Sequence, residues 1–299
     1  MTKFQWRQLP DEHCCACEGV CYVPAPQAPE LQCVNIYVPD AYMKDGTVDP
    51  DGAAGHYTAK TAPVIFENGI GGYMECAPRP LGPFGREYLA RGFVYVTVGA
   101  RGRGTRAADG TYTGKSPAAL VDLKAAVRFL KANAAELPGD MARIVSVGTS
   151  AGGAMSSLLG VTGNSENYEK ELAAIGACAG TDDVFAAQCY CPIIDLENAD
   201  MAYEWLFRAD TDYTGFMGAG GTLSEFQQAL SHGMAERYLA YFNRLGLRHP
   251  ETGAALALEP GGRGGGAYDY LMDALERAAE KYLRKLNAGE LNVDYSFED

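Results

Sequence analysis

The pentapeptide Gly148–Gly152 (GTSAG) carries the clearest chemical signal in the chain, because it places Ser150 in the pattern G-x-S-x-G. The β-branched run Arg143–Val147 precedes it, and the small residues Ala151–Leu159 follow it. This order predicts a nucleophile elbow, in which a strand turns sharply into a helix, with the serine at a strained apex and glycines that leave room for the backbone. An apex of this kind exposes a hydroxyl that can attack a carbonyl carbon.

The oxyanion formed by such an attack needs hydrogen-bond donors, and the sequence offers two of them. The first is the N–H of Ala151, at the N-terminus of the helix that follows Ser150. The second lies in the glycine-rich loop Asn68–Gly72, after an earlier strand, where Ile70 or Gly71 would supply the N–H. Ala151, Ile70 and Gly71 are therefore the predicted oxyanion hole.

Composition and charge exclude several classes of protein. The 299 residues are 47% hydrophobic and 21% charged, which is typical of a globular chain with room for a sizeable core. A net charge of −13 disfavours a nucleic-acid partner. No apolar run reaches membrane-spanning length, and Met1–Pro10 has no apolar signal region, so we expect no membrane partner and a cytoplasmic location. The chemistry at Ser150 implies no metal and no cofactor.

Four of the nine cysteines crowd into one short segment, at positions 14, 15, 17 and 21. Their spacing matches no zinc or iron–sulfur pattern, and no second ligand cluster follows downstream. We therefore expect a structural role for them as small buried side chains, and we expect the same for Cys189 and Cys191. An odd number of cysteines without an export signal favours reduced thiols over a disulfide framework.

Strand-like and helix-like segments alternate along the first two thirds of the chain. This alternation predicts an α/β fold whose mostly parallel sheet carries helices on both faces. Between two of the strands, Ser116 is the expected N-cap of a helix whose apolar face carries Leu120, Leu123 and Val127, with Asp122 and Lys124 away from that face. The predicted strands before the serine motif are Cys33–Pro39, Pro63–Phe66, Gly92–Val98 and Arg143–Val147.

A series of short motifs runs in order along most of the chain. They are Asn35–Pro39 (NIYVP), Asn68–Met74 (NGIGGYM), Gly99–Arg103 (GARGR), Gly114–Ala118 (GKSPA), Val121–Arg128 (VDLKAAVR), Gly148–Gly153 (GTSAGG), Tyr190–Leu196 (YCPIIDL) and Asn198–Trp205 (NADMAYEW). Together they resemble the bacterial tannases and related feruloyl-type esterases of the α/β-hydrolase fold. The series is more specific for this group of hydrolases than for any one ester substrate.

The resemblance implies a helical lid inserted after the sixth strand of the sheet, which corresponds here to Val184–Ile194. It divides the chain into an α/β-hydrolase core at residues 1–200 and a lid at residues 201–299. Within the lid, Thr222 and Glu225 resemble a capping box that opens a helix running to about Gly246. A final amphipathic helix carries Leu271, Leu275 and Leu286 on one face.

The chain departs from the resembled family in its histidines. In that family the triad acid and histidine follow the lid, on loops after the last two strands. The four histidines of this chain are His13, His56, His232 and His249, and none occupies such a position. We therefore expect the last two strands to be missing, and the base to come from a further C-terminal segment or a companion chain. In the alternative, His249 or His232 reaches Ser150, with Asp195 as the orienting acid.

The expected reaction is hydrolysis of a carboxylic ester through an acyl-enzyme on Ser150. The resemblance implies a small ester of a phenolic acid, such as a gallate or a hydroxycinnamate. The same motif is compatible with two other functions. One is a catalytically silent binding module that keeps the fold and its pocket, and the other is a serine peptidase that uses the same elbow.

Overall fold

The β-branched runs of the sequence form a seven-stranded sheet in a computed structural model, which describes residues 4–207, 211–214 and 220–290. The chain divides into two compact units, Met1–Ile194 and Asp195–Asp299. The strands of the sheet are β1 (Arg7–Leu9), β2 (Cys14–Cys21), β3 (Cys33–Pro39), β4 (Val64–Asn68), β5 (Val94–Val98), β6 (Ile144–Thr149) and β7 (Ala186–Tyr190).

The sheet is parallel in one half and antiparallel in the other. Its strand order is β1-β2-β3-β5-β4-β6-β7. The pairs β5–β4, β4–β6 and β6–β7 are parallel, whereas β1–β2, β2–β3 and β3–β5 are antiparallel. The predicted α/β-hydrolase class is confirmed, with a mixed sheet in place of a mostly parallel one. No crossover helix lies between β1, β2 and β3 in the described residues 7–39, so these consecutive strands pair antiparallel, and β3 also runs antiparallel to β5.

Helices cover both faces of this sheet. The helices of the first unit are α1 (Pro83–Ala90), α2 (Ala118–Ala132), α3 (Ala151–Val161) and α4 (Glu169–Ala174). Alternate strand residues face opposite sides, since Val96 packs with α2 and α3 while its neighbour Tyr95 packs with Leu89 of α1. Helix α2 begins at Ala118 with Pro117 as its N-cap, so the assignment of Ser116 to that position was wrong; the backbone turns into the helix one residue later.

The second unit has a hydrophobic core of its own, formed by Trp205, Ala235, Leu258 and Ala267. Its elements are helices α5 (Ala199–Phe207), α6 (Glu225–Arg244) and α7 (Gly266–Asn287), and a hairpin of β8 (Asp212–Thr214) and β9 (Gly220–Thr222). That this unit is a lid stays a prediction, part of which falls on residues 208–210, 215–219 and 291–299, outside the described residues. No described helix is long and apolar enough to cross a membrane.

The capping box of α6 lies two residues later than predicted. Thr222 ends strand β9, and its hydroxyl contacts Asp212 instead of the helix. The box is formed by Ser224, which accepts a hydrogen bond from the Gln227 N–H at 3.3 Å, and by Gln227, whose side chain accepts from the Ser224 N–H at 2.9 Å. The strand pairing of Thr222 overrides its capping tendency.

Helix α2 carries charged side chains into the protein interior, where each is paired. Lys124 donates to Asp182 at 2.7 Å, and both side chains are completely buried. Arg128 donates to the other oxygen of Asp182 and also pairs with Glu169. Burial alone would raise the pKa of Asp182, but hydrogen bonds from Lys124, the Asn164 N–H and Arg128 lower it. This carboxylate therefore joins α2 to the segment that leads into β7.

We expect the substitution Asp182→Ala to lower the free energy of unfolding by about 3–5 kcal/mol, because the buried Lys124 loses its counter-charge and Arg128 keeps only Glu169. The matched control is Asp183→Ala, since the Asp183 side chain is 55% exposed and makes its contacts with Lys131 and Asn164 at the surface. Its loss should cost about 0–1 kcal/mol. Urea unfolding of both variants at neutral pH measures the difference, and equal losses would contradict the assignment.

The same carboxylate gives the expected sign of the acid response. Because the folded-state pKa of Asp182 is lowered, its contribution to stability is full above the unfolded-state pKa of about 4 and is lost as the pH falls below it.

Candidate active site

Ser150 stands at the turn between β6 and α3, as the G-x-S-x-G pattern predicts. Its backbone has φ 58° and ψ −121°, a left-handed φ that a residue with a side chain rarely adopts. The residue is exposed, whereas its neighbour Ala151 is fully buried. The Ser150 N–H donates to the carbonyl of Tyr190 at 2.9 Å, which ties the apex to the end of β7.

Glycines surround this apex because backbone atoms meet there. A Cβ at Gly148 would lie 2.2 Å from the carbonyl oxygen of Gly152. A Cβ at Gly153 would lie 2.5 Å from the carbonyl oxygen of Tyr190. Neither position has room for a side chain, so the first turn of α3 rests directly on the ends of β6 and β7.

The loop that follows β4 lies against the start of α3. A Cβ at Gly152 would meet the Ile70 carbonyl oxygen at 3.0 Å. Ile70 is buried and Gly71 is exposed. Among the described residues, the backbone N–H groups of Ala151, Ile70 and Gly71 find no hydrogen-bond acceptor. The structure thus brings the loop beside the elbow with free donors on both segments, as an oxyanion hole requires.

Asn68 joins this loop to the elbow, a role that the sequence motifs do not predict. It is the last residue of β4 and is buried. Its Nδ2 contacts the carbonyls of Val147 and Gly152 at 3.2 and 3.1 Å and the Ser156 hydroxyl at 2.9 Å. The only signal in the sequence was its place at the head of the motif NGIGGYM, where a strand ends beside a glycine-rich loop.

A buried ion pair between Arg101 and Asp122 holds the segment that packs against the outer side of the same loop. Arg101 donates to Asp122 through Nε and Nη2 as well as its own backbone N–H, and both side chains are buried. Two residues after Arg101, the Arg103 N–H donates to the Tyr73 carbonyl at 2.8 Å. A Cβ at Gly102 would lie 1.9 Å from the backbone nitrogen of Glu75. The buried ion pair therefore fixes the segment against which residues 73–75 pack.

A cavity of about 220 Å³ opens beside the elbow, at the carboxyl ends of β4, β6 and β7. Its polar wall contains Glu67, which accepts a hydrogen bond from Tyr95 and lies 3.8 Å from Arg79. Burial and the contact with Glu67 raise the pKa of Tyr95, so this phenol stays protonated. The lining residues are Glu67, Asn68, Gly69, Ile70, Arg79, Phe84, Val147, Gly148, Thr149 and Tyr190.

Three of the four histidines are exposed, and His249 and Asp195 make hydrogen bonds within the second unit. His13 and His56 are exposed, and within the first unit no described side chain hydrogen-bonds to Ser150. In the second unit His232 is exposed on α6, whereas Nδ1 of His249 accepts the N–H groups of residues 251 and 252. Asp195 accepts from Asn198 and Tyr241, which lower its pKa. Because Nδ1 of His249 is an acceptor, it has no proton to donate to an orienting carboxylate.

Three cysteines of the predicted cluster are buried side chains of β2. Cys14 packs on the face that carries α1, while Cys15 and Cys17 pack on the opposite face. Burial raises the pKa of the Cys14 thiol to about 11. No group of three metal-binding side chains gathers among the residues that the structure describes. Cys189 lies in β7, and Cys191 is exposed just after it.

Fold and elbow together define the class of an esterase-like α/β-hydrolase. The BD-FAE family model matches residues 77–230, which is more than half of the chain. The chain therefore belongs to this tannase- and feruloyl esterase-like family.

Solved tannases share the fold and a substantial part of the sequence. The tannase of Fusobacterium nucleatum is 35% identical with a TM-score of 0.71, over 95% of this chain and 63% of its own. A tannin acyl hydrolase in complex with ethyl gallate is 38% identical with a TM-score of 0.67, over 90% of this chain and 60% of its own. A tannase from Lactobacillus plantarum is 36% identical with a TM-score of 0.67, over 90% of this chain and 61% of its own.

This chain thus spans about three fifths of the matched structures. No match was found among curated proteins.

We expect Gly148→Ala to destabilise the protein by about 1–3 kcal/mol or more, because the new methyl group would overlap the Gly152 carbonyl and the Asn68 amide. The control is Gly233→Ala, which places a methyl group in open space on helix α6. There the substitution should stabilise by about 0.5–1 kcal/mol, because alanine is the better helix former. Urea unfolding compares the two, and a neutral Gly148→Ala would refute the close contact.

We expect Asn68→Asp to cost about 1–3 kcal/mol, because the substitution removes the donor to the Val147 and Gly152 carbonyls and places a buried carboxylate against their oxygens. Ser156→Ala is the control, since it removes one partner of Asn68 and keeps both backbone contacts. Thermal and urea unfolding give the ranking. A larger loss for Ser156→Ala would show that the hydroxyl, and not the amide, holds the loop.

Proposed function

We propose that the protein contributes the nucleophile and the oxyanion hole of a serine carboxylic ester hydrolase. The observation that carries this proposal is the strained and exposed Ser150 at the start of α3, beside the free N–H groups of Ala151 and the loop at Ile70 and Gly71. A strained apex is retained where surrounding packing enforces it, and here the glycine contacts enforce it.

The proposed reaction has two steps. Ser150 Oγ attacks the ester carbonyl carbon as a base removes its proton, and the oxyanion accepts hydrogen bonds from Ala151 and from Ile70 or Gly71. Collapse of this intermediate breaks the ester bond and releases the alcohol, which takes the proton from the base. Water then attacks the acyl group on Ser150 and releases the acid. Each oxyanion donor contributes about 10²–10³-fold to the rate.

We propose that the base is a histidine supplied from outside this chain, by a C-terminal segment or a companion chain. Two observations support this. His249, the histidine best supplied with contacts, uses Nδ1 as an acceptor within its own turn. The matched tannases are also longer than this chain, which covers 63% of the Fusobacterium nucleatum protein. Without a base, the remaining groups should support a residual rate of only about 10³-fold over water.

We propose esters of phenolic acids, such as gallates or hydroxycinnamates, as substrates. One matched structure is a tannin acyl hydrolase in complex with ethyl gallate. The cavity beside the elbow suits a small hydroxylated ring, because Phe84 and Tyr190 offer aromatic surface and Glu67 and Arg79 offer polar groups. We propose a cytoplasmic location, because all nine cysteines are free thiols. We propose no nucleic-acid or membrane partner.

The test compares this chain with a chimera that continues into the C-terminal segment of the Fusobacterium nucleatum tannase. Methyl gallate, methyl ferulate and p-nitrophenyl acetate are the substrates, and Ser150→Ala is made in both proteins. The chain alone should show at most residual turnover, since it lacks the base. The chimera should hydrolyse at least one phenolic ester, and Ser150→Ala should reduce that rate by about 10⁶-fold.

Each other outcome contradicts part of the proposal. Efficient turnover by the chain alone, abolished by Ser150→Ala, would mean that a base lies within it. A folded chimera that binds gallate without turnover would favour a silent binding module. Faster cleavage of an anilide than of the matching ester would favour a peptidase.

A further inference from the structure

Two of the nine free cysteines face each other across neighbouring strands. Cys21 ends β2, Cys33 begins β3, and the two are directly opposed in the antiparallel register. The adjacent pair is hydrogen-bonded, since the Tyr22 N–H donates to the Gln32 carbonyl at 3.4 Å. Hydrogen-bonded and non-hydrogen-bonded pairs alternate along an antiparallel ladder, so Cys21 and Cys33 form a non-hydrogen-bonded pair. At such positions the Cα atoms are only about 4.5 Å apart and the side chains are closest.

Both sulfur atoms point to the same side of the ladder. Cys33 Sγ lies 3.5 Å from the carbonyl oxygen of Glu30. Cys21 Sγ lies 4.0 Å from the carbonyl oxygen of Pro29, the neighbour of Glu30 in the loop. Burial, the neighbouring Cys21 and then Glu30 raise the pKa of the Cys33 thiol to about 11. The thiols therefore meet under one short stretch of the connecting loop, with Cys21 partly exposed and Cys33 buried.

The other cysteines of β2 lack such a partner. In the same ladder Cys14 is opposed by Pro39, Cys15 by Val38 and Cys17 by Ile36. The β2–β3 ladder thus brings two cysteines opposite each other at one position. Of the crowded cysteines in the sequence, geometry distinguishes Cys21 alone.

We propose that Cys21 and Cys33 form a reversible cross-strand disulfide when the protein meets a low-molecular-weight disulfide such as oxidised glutathione. The Cys21 thiolate attacks one sulfur of the small disulfide, forms a mixed disulfide and releases one small thiol. Cys33 then loses its proton and attacks Cys21 Sγ, which releases the second small thiol. Overall, two protein thiols give up two electrons and two protons, and one small disulfide is reduced to two thiols.

The disulfide would close the loop at residues 22–32. This loop contacts the Arg101–Asp122 ion pair, which in turn holds the segment beside the active-site loop. Gln32 donates to Asp122 at 3.0 Å, and Gln27 accepts from Arg101 at 2.6 Å. Tyr22 donates to the Gly99 carbonyl at 3.0 Å. Oxidation would therefore restrain the segment that positions Arg101 and Asp122, while a small dithiol would release it.

The first experiment incubates the full chain with oxidised glutathione at about pH 8, because thiolates and not thiols attack a disulfide. Free thiols are then alkylated, and the protein is digested with a glutamyl endopeptidase under non-reducing conditions. Cleavage after Glu18, Glu30 and Glu75 places Cys21, Cys33 and Cys76 in separate peptides. We expect the peptide of Cys21 linked to that of Cys33, faster linkage as the pH rises, and loss of the link with dithiothreitol.

Three variants make the result specific. Cys33→Ser should stop at a mixed disulfide between Cys21 and glutathione, and Cys21→Ser should give no link to Cys33. Cys15→Ser is the matched control on the same strand and should keep the link, because Cys15 faces Val38. A link between Cys33 and Cys76, or a glutathione adduct on Cys21 that persists in the unsubstituted chain, would overturn the proposal.

Stability supplies an independent readout. Oxidation of the unsubstituted chain should raise Tm by at least about 2–4 °C, because the cross-link restrains the unfolded chain. Hydrogen exchange of residues 22–32 should slow at the same time. The double variant Cys21→Ser/Cys33→Ser should show neither change, and an equal rise in that variant would refute the link.

Discussion

The turn at Ser150 depends on a backbone contact for which glycine is the only suitable residue. Gly148 lies beneath the Gly152 carbonyl, and Gly153 lies against the Tyr190 carbonyl. With these contacts in place, α3 can begin directly above the ends of two parallel strands, and Ser150 is held at a left-handed φ with its residue exposed. The strained backbone of Ser150 is maintained because the close contacts at Gly148 and Gly153 fix the residues on both sides of it.

The loop that follows the neighbouring strand β4 completes the site beside this turn. Asn68 ends β4 and donates into the elbow, so the loop at Ile70 and Gly71 starts from a fixed point. On its far side that loop packs against the segment that Arg101 and Asp122 hold in place. All of these groups belong to the first unit, whose two hydrophobic layers and paired buried charges account for their positions.

Charge placement shows where a sequence pattern is insufficient. Periodicity along α2 assigns Leu120, Leu123 and Val127 to the buried face and leaves Asp122 and Lys124 away from it. In the structure Asp122 and Lys124 are also fully buried. Their partners, Arg101 and Asp182, lie 21 and 58 residues away along the chain, and a buried charge is stable only when such a partner is present. A local pattern carries no information about a partner that folding brings from elsewhere.

The elbow, the glycine-rich loop and the α/β class can be read from the residues alone, because each rests on local chemistry: a required glycine, a strand followed by small residues, and alternating apolar runs. The pairing of strands β1–β3 is visible only in the folded protein, since the same alternation suits parallel and antiparallel neighbours. The folded protein also shows that Asn68 binds the elbow, that Cys21 faces Cys33, and that Ser224 caps α6 while Thr222 pairs in a strand. Each of these contacts depends on register or on a distant partner, and neither is encoded in residue spacing.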